Sequence, residues 1–390
     1  MNTLKMVAIT GITAFSISTT QATEMSYLYK DQRIMAMGGA NVAAGGYSTS
    51  LFANPAGISQ VSNEHGMVVE LLGIQTGISS DSESLFSDLN DAIESEDEEE
   101  IVAVIENYAG QTVHFDLSNY SSLTNNHGKF AWSVGLLSAV DANITPHPNS
   151  FEFLEVQARA YGGLTTAFSY TFEPNQVGDL SLGLGLKLIS QQSYEGTITP
   201  SELVDYNNLG DNIRDKMESN GTALGADLGA IYQFKSYLNP SIGISILNIG
   251  GLNFDKHYGY QPMTVNLGTA IQPKINFIKK TVIALDYVDL FNANQTRTYT
   301  LDNGDSVSYT DIDDTDFVKR IRFGASALIY DNTWSSLELA AGLYQGAYTA
   351  GFTVTASIIQ IGFSTFEEQL GPEYKDQSDR RYELRTGLVW

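Results

Sequence analysis

The chain has 390 residues, with 45 Asp and Glu against 21 Lys and Arg, and a net charge of −24. Phosphate needs positive charge opposite it, so no nucleic-acid surface is expected. There is no cysteine, which excludes thiol catalysis, Cys-ligated zinc, iron–sulfur clusters and disulfides.

The N-terminus carries one basic residue, Lys5, then an apolar stretch from Met6 to about Phe15, then small and polar residues ending in Thr20-Gln21-Ala22. Small side chains one and three positions before a cut suit signal peptidase, so residues 1–22 read as a cleavable export signal. The run is interrupted by Ser16, Thr19 and Thr20, and is too short for a membrane-spanning helix, which takes about 20 apolar residues. No later run is long enough either. A chain can nonetheless cross a membrane as a closed β-barrel, because closure pairs every backbone N–H and C=O.

Residues 23–64 are rich in Gly, Ala and Ser, with Gly38-Gly39, Gly45-Gly46 and Asn54-Pro55-Ala56-Gly57. Too few large apolar side chains are present for an independent core, so this segment is expected to pack on or inside something else. From residue 65 onward the dominant period is two. Leu180, Leu182, Leu184, Leu186 and Leu188 alternate with Ser181, Gly183, Gly185 and Lys187, and Ile242, Ile244 and Ile246 alternate with Ser241, Gly243 and Ser245. Successive strand side chains face opposite sides, so each such run has one apolar and one small or polar face.

This pattern places strands near 67–77, 112–122, 129–140, 156–172, 179–194, 221–234, 239–249, 263–272, 280–289, 318–330, 335–345, 347–354, 356–366 and 379–390. The connections alternate long and short, with the turn near Gln345-Gly346 short where a long one is due. The long ones hold most of the acidic residues and few basic ones. An even strand count with short turns at one end and long loops at the other is the layout of an outer-membrane barrel. The expected fold is therefore all-β: a transmembrane antiparallel β-barrel of about 14 strands over residues 65–390, in the outer membrane of a Gram-negative bacterium. The expected partners are outer-membrane lipid and lipopolysaccharide.

Tyr382, Leu384, Leu388 and Trp390 lie on one face of the last strand. A final amphipathic strand ending on an aromatic residue resembles the signal read by the barrel-assembly machinery. Residues Asp81 to Asn107 carry an acidic run, Glu94 to Glu100, between apolar residues spaced by three and four. Two short amphipathic helices are expected there, either as a solvated surface pair or as a cap over the outer mouth. Asp311, Asp313, Asp314 and Asp316 have a composition that suits calcium. EF-hand spacing fails, since Thr315 and Asp316 stand where a ligand and Gly are needed and no Glu follows. Five histidines, His65, His114, His127, His147 and His257, form no metal motif, and no nucleophile elbow or phosphate loop occurs. No catalytic constellation and no cofactor site is assigned.

The segment Arg33-Ile34-Met35-Ala36-Met37-Gly38-Gly39-Ala40-Asn41-Val42-Ala43, followed by Ser50-Leu51-Phe52-Ala53-Asn54-Pro55-Ala56-Gly57-Ile58, resembles the start of the long-chain fatty-acid transporter (FadL-like) superfamily of outer-membrane proteins. The resemblance implies that residues 23–64 form a luminal hatch, carried by Gly38, Gly39, Asn54, Pro55, Ala56 and Gly57, inside a fourteen-stranded barrel. It also implies passive uptake of a small hydrophobic ligand. Glu367 to Pro372 through Asp379 to Tyr382 is similar to the TraF-like branch of that superfamily, named for conjugal transfer. That branch implies the alternative role of a non-transporting scaffold or conjugal-transfer accessory. A continuous apolar pocket reaching the hatch would favour transport, and a packed polar lumen would favour the scaffold.

Overall fold

The computed structural model describes residues 24–390 apart from 63–65, 81, 96, 148–152, 174–175, 205–218, 255–257, 303–305 and 333. The expected signal peptide, 1–22, lies outside the described residues. Sixteen strands are described: β1 Met67–Ser79, β2 Val113–Asn126, β3 Phe130–His147, β4 Phe153–Phe172, β5 Gly178–Ile198, β6 Ser219–Phe234, β7 Ser241–Leu247, β8 Thr264–Ile271, β9 Lys280–Tyr287, β10 Gln295–Asp302, β11 Ser306–Asp313, β12 Ile321–Asn332, β13 Ser335–Tyr344, β14 Ala347–Ala356, β15 Ile359–Gln369 and β16 Ser378–Val389. Fourteen of them close into one antiparallel barrel, in which β9 pairs with β12 and β16 returns to β1. All fourteen expected strands are present, including the pair over 347–366.

The period-two pattern decides which side chains face out. Leu182, Leu184, Leu186 and Leu188 are exposed on the outer wall, whereas Ser181 and Lys187 are buried on the inner one. The same apolar exterior recurs on Leu224 and Leu228, Ile242 and Ile244, Phe352 and Val354, and Tyr382 and Leu384. In lipid such a surface is the expected one. No described helix is long and apolar enough to cross a membrane, which says nothing about crossing by strands.

Two features depart from the expectation. Strands β3, β4 and β5 run several residues further at the long-loop end than the apolar belt suggested. There the outward residues Leu154, Val156, Ala158, Tyr194 and Ile198 are covered by the apolar faces of two helices, α2 Ser82–Glu94 and α3 Glu98–Asn107. The acidic insert is thus a helix pair, as its spacing predicted, seated on the outside of the wall and not over the lumen. Asp97 caps α3 by accepting the Glu99 N–H, and three glutamates occupy its positive first turn.

The second departure is the β10–β11 hairpin, paired from Gln295↔Asp313 to Asp302↔Ser306, within a stretch expected to be loop. Thr296, Thr298 and Thr300 alternate with Arg297, Tyr299 and Leu301. The β-propensity of this sequence is high, but apolar and polar residues do not alternate in it, so hydrophobic periodicity gave no signal.

Candidate functional site

The described part of the N-terminal segment packs along the inner wall. Gly38 and Gly39 adopt φ of 66° and 74°, a left-handed conformation that glycine takes without strain. A Cβ on Gly38 would collide with the backbone of Phe323 and Leu343, so this peptide lies directly against β12 and β13. The Thr349 hydroxyl accepts from the Gly38 N–H at 3.0 Å and donates to the Ala36 carbonyl at 2.9 Å.

Asn54 is fully buried and occupies all its hydrogen-bonding groups. Its Oδ1 accepts the Ala56 N–H at 3.0 Å, capping a short 3-10 helix over Pro55–Gln60 that has proline at its first position. Its amide nitrogen donates to the Val42 carbonyl at 2.7 Å, and at 3.3 Å to the Ala230 and Ile244 carbonyls of β6 and β7. The Asn-Pro-Ala-Gly step is received by inward glycines of the wall: a Cβ on Gly183 would overlap the Ala56 backbone, and one on Gly229 would overlap Asn54. Gly57 packs on Ser50 and Gly45 within the segment itself. The step has little backbone freedom, because Pro55 fixes its own φ and holds Asn54 extended at φ −160°, ψ 115°.

A chain of buried ion pairs fixes the other end. Helix α1, Gln32–Ala36, is capped by Asp31, whose carboxylate also pairs with the Arg33 guanidinium at 2.8 Å. Arg33 reaches Glu70 at 3.3 Å, and Glu70 in turn meets Arg385 of β16 at 2.9 Å. Gln75 accepts the Gln32 N–H and donates to the Lys30 carbonyl. Glu70 and Gln75 are an odd number of residues apart, and a regular strand would send them to opposite faces. A bulge at Leu71–Leu72, with Leu72 at φ 51°, inserts the extra residue that turns both inward. Burial pushes the Asp31 carboxyl up, but the Arg33 guanidinium outweighs it and holds Asp31 well below the usual carboxylate range. Burial likewise disfavours charge on Lys30, yet Glu24 and Glu368 raise its pKa above the ordinary lysine value.

Between this segment and the wall of β5, β7 and β8 lies a cavity of about 110 Å³. Met25, Leu28, Ile34, Met35, Phe52 and Leu247 supply its apolar lining. Its polar groups are already engaged: Asn248 holds Lys187, Asn266 accepts the Asp289 N–H, and Asn294 accepts the Ser26 N–H. An apolar cavity of ~150 Å³ admits a benzene ring, so a ring would enter this smaller space only if the segment shifted. Tyr27, Tyr29 and Lys30 divide it from a smaller space of about 40 Å³ on the β1–β4 side, lined by charged groups including Glu24, Asp116, Asp141, Arg159, Arg381 and Glu383. The larger space is mainly apolar with ion-paired charges such as Lys187 and Asp289 at its edge, and the smaller one is lined largely by ion-paired groups.

The structure places the six motif residues at two separate points of the inner wall, Gly38 and Gly39 against β12 and β13, and Asn54 to Ala56 against β5, β6 and β7, with Gly57 packed within the segment. Tyr382 and Leu384 of β16 and Trp390 just beyond it are exposed, Leu388 between them is half-buried, and the Trp390 backbone pairs with Val69 of β1 at the closing seam. The aspartate cluster is engaged by its own chain. Asp314 pairs with Lys319 and Arg320, and Asp316 accepts the Val318 and Tyr374 N–H groups. Among the described residues no group of three or more His, Asp or Glu side chains is placed to hold a metal.

Sequence reasoning assigned no role to three inward residues that shape the lumen. Lys187 pairs with Asp227 at 2.9 Å, and Asp286 accepts the Asn41 and Val42 N–H groups at 2.6 and 2.7 Å. Each is a charge whose neighbours two residues away, on the same strand face, are uncharged, and that is the signal that would have found it.

Among solved structures, the barrel fold is similar to that of hydrocarbon channels. The Pseudomonas putida toluene transporter TodX superposes with a TM-score of 0.52 at 12% identity, over 94% of this chain and 99% of that one. The deltaS2S3 mutant of the TodX monoaromatic hydrocarbon channel gives 0.53 at 10% identity, over 92% and 98%. The Ralstonia pickettii toluene transporter TbuX gives 0.51 at 11% identity, over 92% and 97%. The chain shares their barrel fold. No protein-family model and no curated protein matches the chain.

Proposed function

We propose that this protein is a FadL-like barrel of the Gram-negative outer membrane that mediates passive uptake of a small hydrophobic molecule. The observation that carries the reading is a mainly apolar cavity of about 110 Å³ walled on one side by the N-terminal segment. The segment acts as the hatch: it fills the lumen, excludes free ion flow, and forms one wall of the cavity, so a solute held there is released when the hatch shifts. Uptake of this kind runs down a concentration gradient and needs no energy source. The outward residues Tyr382, Leu384, Leu388 and Trp390 serve as the insertion signal for the barrel-assembly machinery, and the acidic loops face lipopolysaccharide. The named substrates of the superposed channels, toluene and monoaromatic hydrocarbons, make small aromatics the first ligands to try.

A second reading has its own support. The ion-paired side of the lumen is densely packed, as in a barrel that transports nothing, and the C-terminal resemblance to the TraF-like branch fits a scaffold or conjugal-transfer accessory. Liposome uptake of labelled toluene and of fatty acids separates the two. Saturable uptake by the reconstituted barrel supports transport. Uptake no greater than that of empty liposomes, by a heat-modifiable and therefore folded barrel, sinks it in favour of the scaffold.

A further inference from the structure

Near the upper edge of its apolar belt the outer wall carries a row of small and uncharged polar residues. Across β3, β4 and β5 the outward residues form rows fixed by register. Leu136, Leu164 and Leu188 make one row, and Ser138, Gly162 and Ser190 the next. Val140, Ala160 and Gln192 follow, and then Ala142, Ala158 and Tyr194, which α2 and α3 cover. The second row is small, so a depression of about 620 Å³ opens between the leucine ridge below and the helix pair above. Asn119 of β2 continues the row beside Ser138, with Leu117 next to Val140.

Three features say what fits it. Its height is set by β4: Gly162 stands about ten residues from Phe172 at the short-turn end, or ~25 Å along the axis for a strand rising ~3.3 Å per residue at a tilt of ~40°. An apolar band about 25 Å tall ends there, at the level of the linkages between acyl chains and headgroups. No lining residue carries a charge. The Asn119 amide N–H groups and the Ser138 hydroxyl make no hydrogen bond among the described residues, so both can bond a ligand at that level. The wall is not perforated, because the pairing Asn119↔Ser138↔Gly162↔Ser190 is unbroken. A solute cannot leave the lumen through it.

We infer that this depression is a binding site for a lipid of the surrounding membrane, with an acyl chain lying between Leu117 and the leucine ridge and its uncharged ester group hydrogen-bonded to Asn119 and Ser138. The lack of positive charge assigns recognition to the chain and its ester, not to a phosphate. The inference concerns the outer wall and does not depend on what the lumen transports.

The test uses monoolein, an uncharged ester lipid, titrated onto the purified barrel in detergent, with bound lipid counted by native mass spectrometry. The variant is Ser138→Leu with Ser190→Leu, both outward, which extends the leucine ridge across the depression. Monoolein should bind the unaltered barrel, and the double variant should bind it roughly tenfold more weakly, as loss of a hydrogen bond and of space implies. Asn119→Leu, which removes the amide donor alone, should show a smaller loss in the same direction and stands in if the double variant is not heat-modifiable. Unchanged affinity in the variants overturns the inference. So does displacement of monoolein by toluene, which would make the depression a solute site, or by phosphatidylglycerol in a salt-sensitive manner, which would mean that headgroup charge is read.

Discussion

Asn54→Ala is the substitution that bears most directly on the proposed hatch. It removes the cap on the Ala56 N–H, worth about 1 kcal/mol, and leaves the buried Val42 carbonyl without its 2.7 Å donor, at about 1–3 kcal/mol. The loss of roughly 2–4 kcal/mol falls on the segment and not on the barrel, because the ladder bonds of β6 and β7 do not pass through Asn54. Local opening that leaves the barrel closed should become roughly 30- to 700-fold more frequent, at about 1.4 kcal/mol per tenfold. Amide hydrogen exchange reads this residue by residue: the Gly46 and Gly57 N–H groups, which bond to the Gly57 and Asn54 carbonyls, should lose protection by that factor. The strand amides of β6 and β7 should keep theirs. If hatch amides exchange as slowly as in the unaltered protein, Asn54 is not the clamp. If strand amides accelerate in step with them, hatch and barrel open as one unit, and the reasoning that separates them is wrong.

Leu247→Trp fills the apolar cavity from the β7 side and should lower toluene uptake severalfold with heat-modifiability retained, as liposome assays would show. The ion-paired end of the hatch should be insensitive to mild acid. Asp31 has its pKa depressed, so its stabilisation is fully present above the unfolded value of about 3.9 and is lost only as pH falls through the lower folded value. Protection of the Arg33 and Met35 amides, corrected for intrinsic exchange, should then stay level from about pH 7 down to about 4 and drop at once in Asp31→Asn. Trp390→Ala removes an exposed ring from the closing seam without touching the Trp390 backbone bonds to Val69. Assembly by purified insertion machinery should slow severalfold, while unassisted refolding into detergent should be unchanged by gel mobility.

Much of this molecule is written locally. The fourteen wall strands follow from side-chain alternation, because the membrane and the lumen impose opposite demands on successive residues; Leu180 to Leu188 against Ser181 to Lys187 needs no tertiary knowledge. The helices of the acidic insert follow in the same way from their three-and-four spacing. The motif glycines announced backbone that comes close to something, and the structure supplied the partners, Phe323 and Leu343 for Gly38 and the inward glycines Gly183 and Gly229 for Asn54 to Ala56. What the pattern could not reach were contacts between residues far apart in the chain. Arg33, Glu70 and Arg385 meet across separations of 37 and 315 residues, and Glu70 faces inward only because a bulge breaks the parity that pattern reading assumes. The seat of α2 and α3 on the outer wall, and the depression beneath them, arise from the register of three strands together. Alternation is a property of each strand by itself and can be read from it. Cavities, ion-pair chains and lipid-facing notches are properties of how strands are aligned, and only barrel closure sets that alignment.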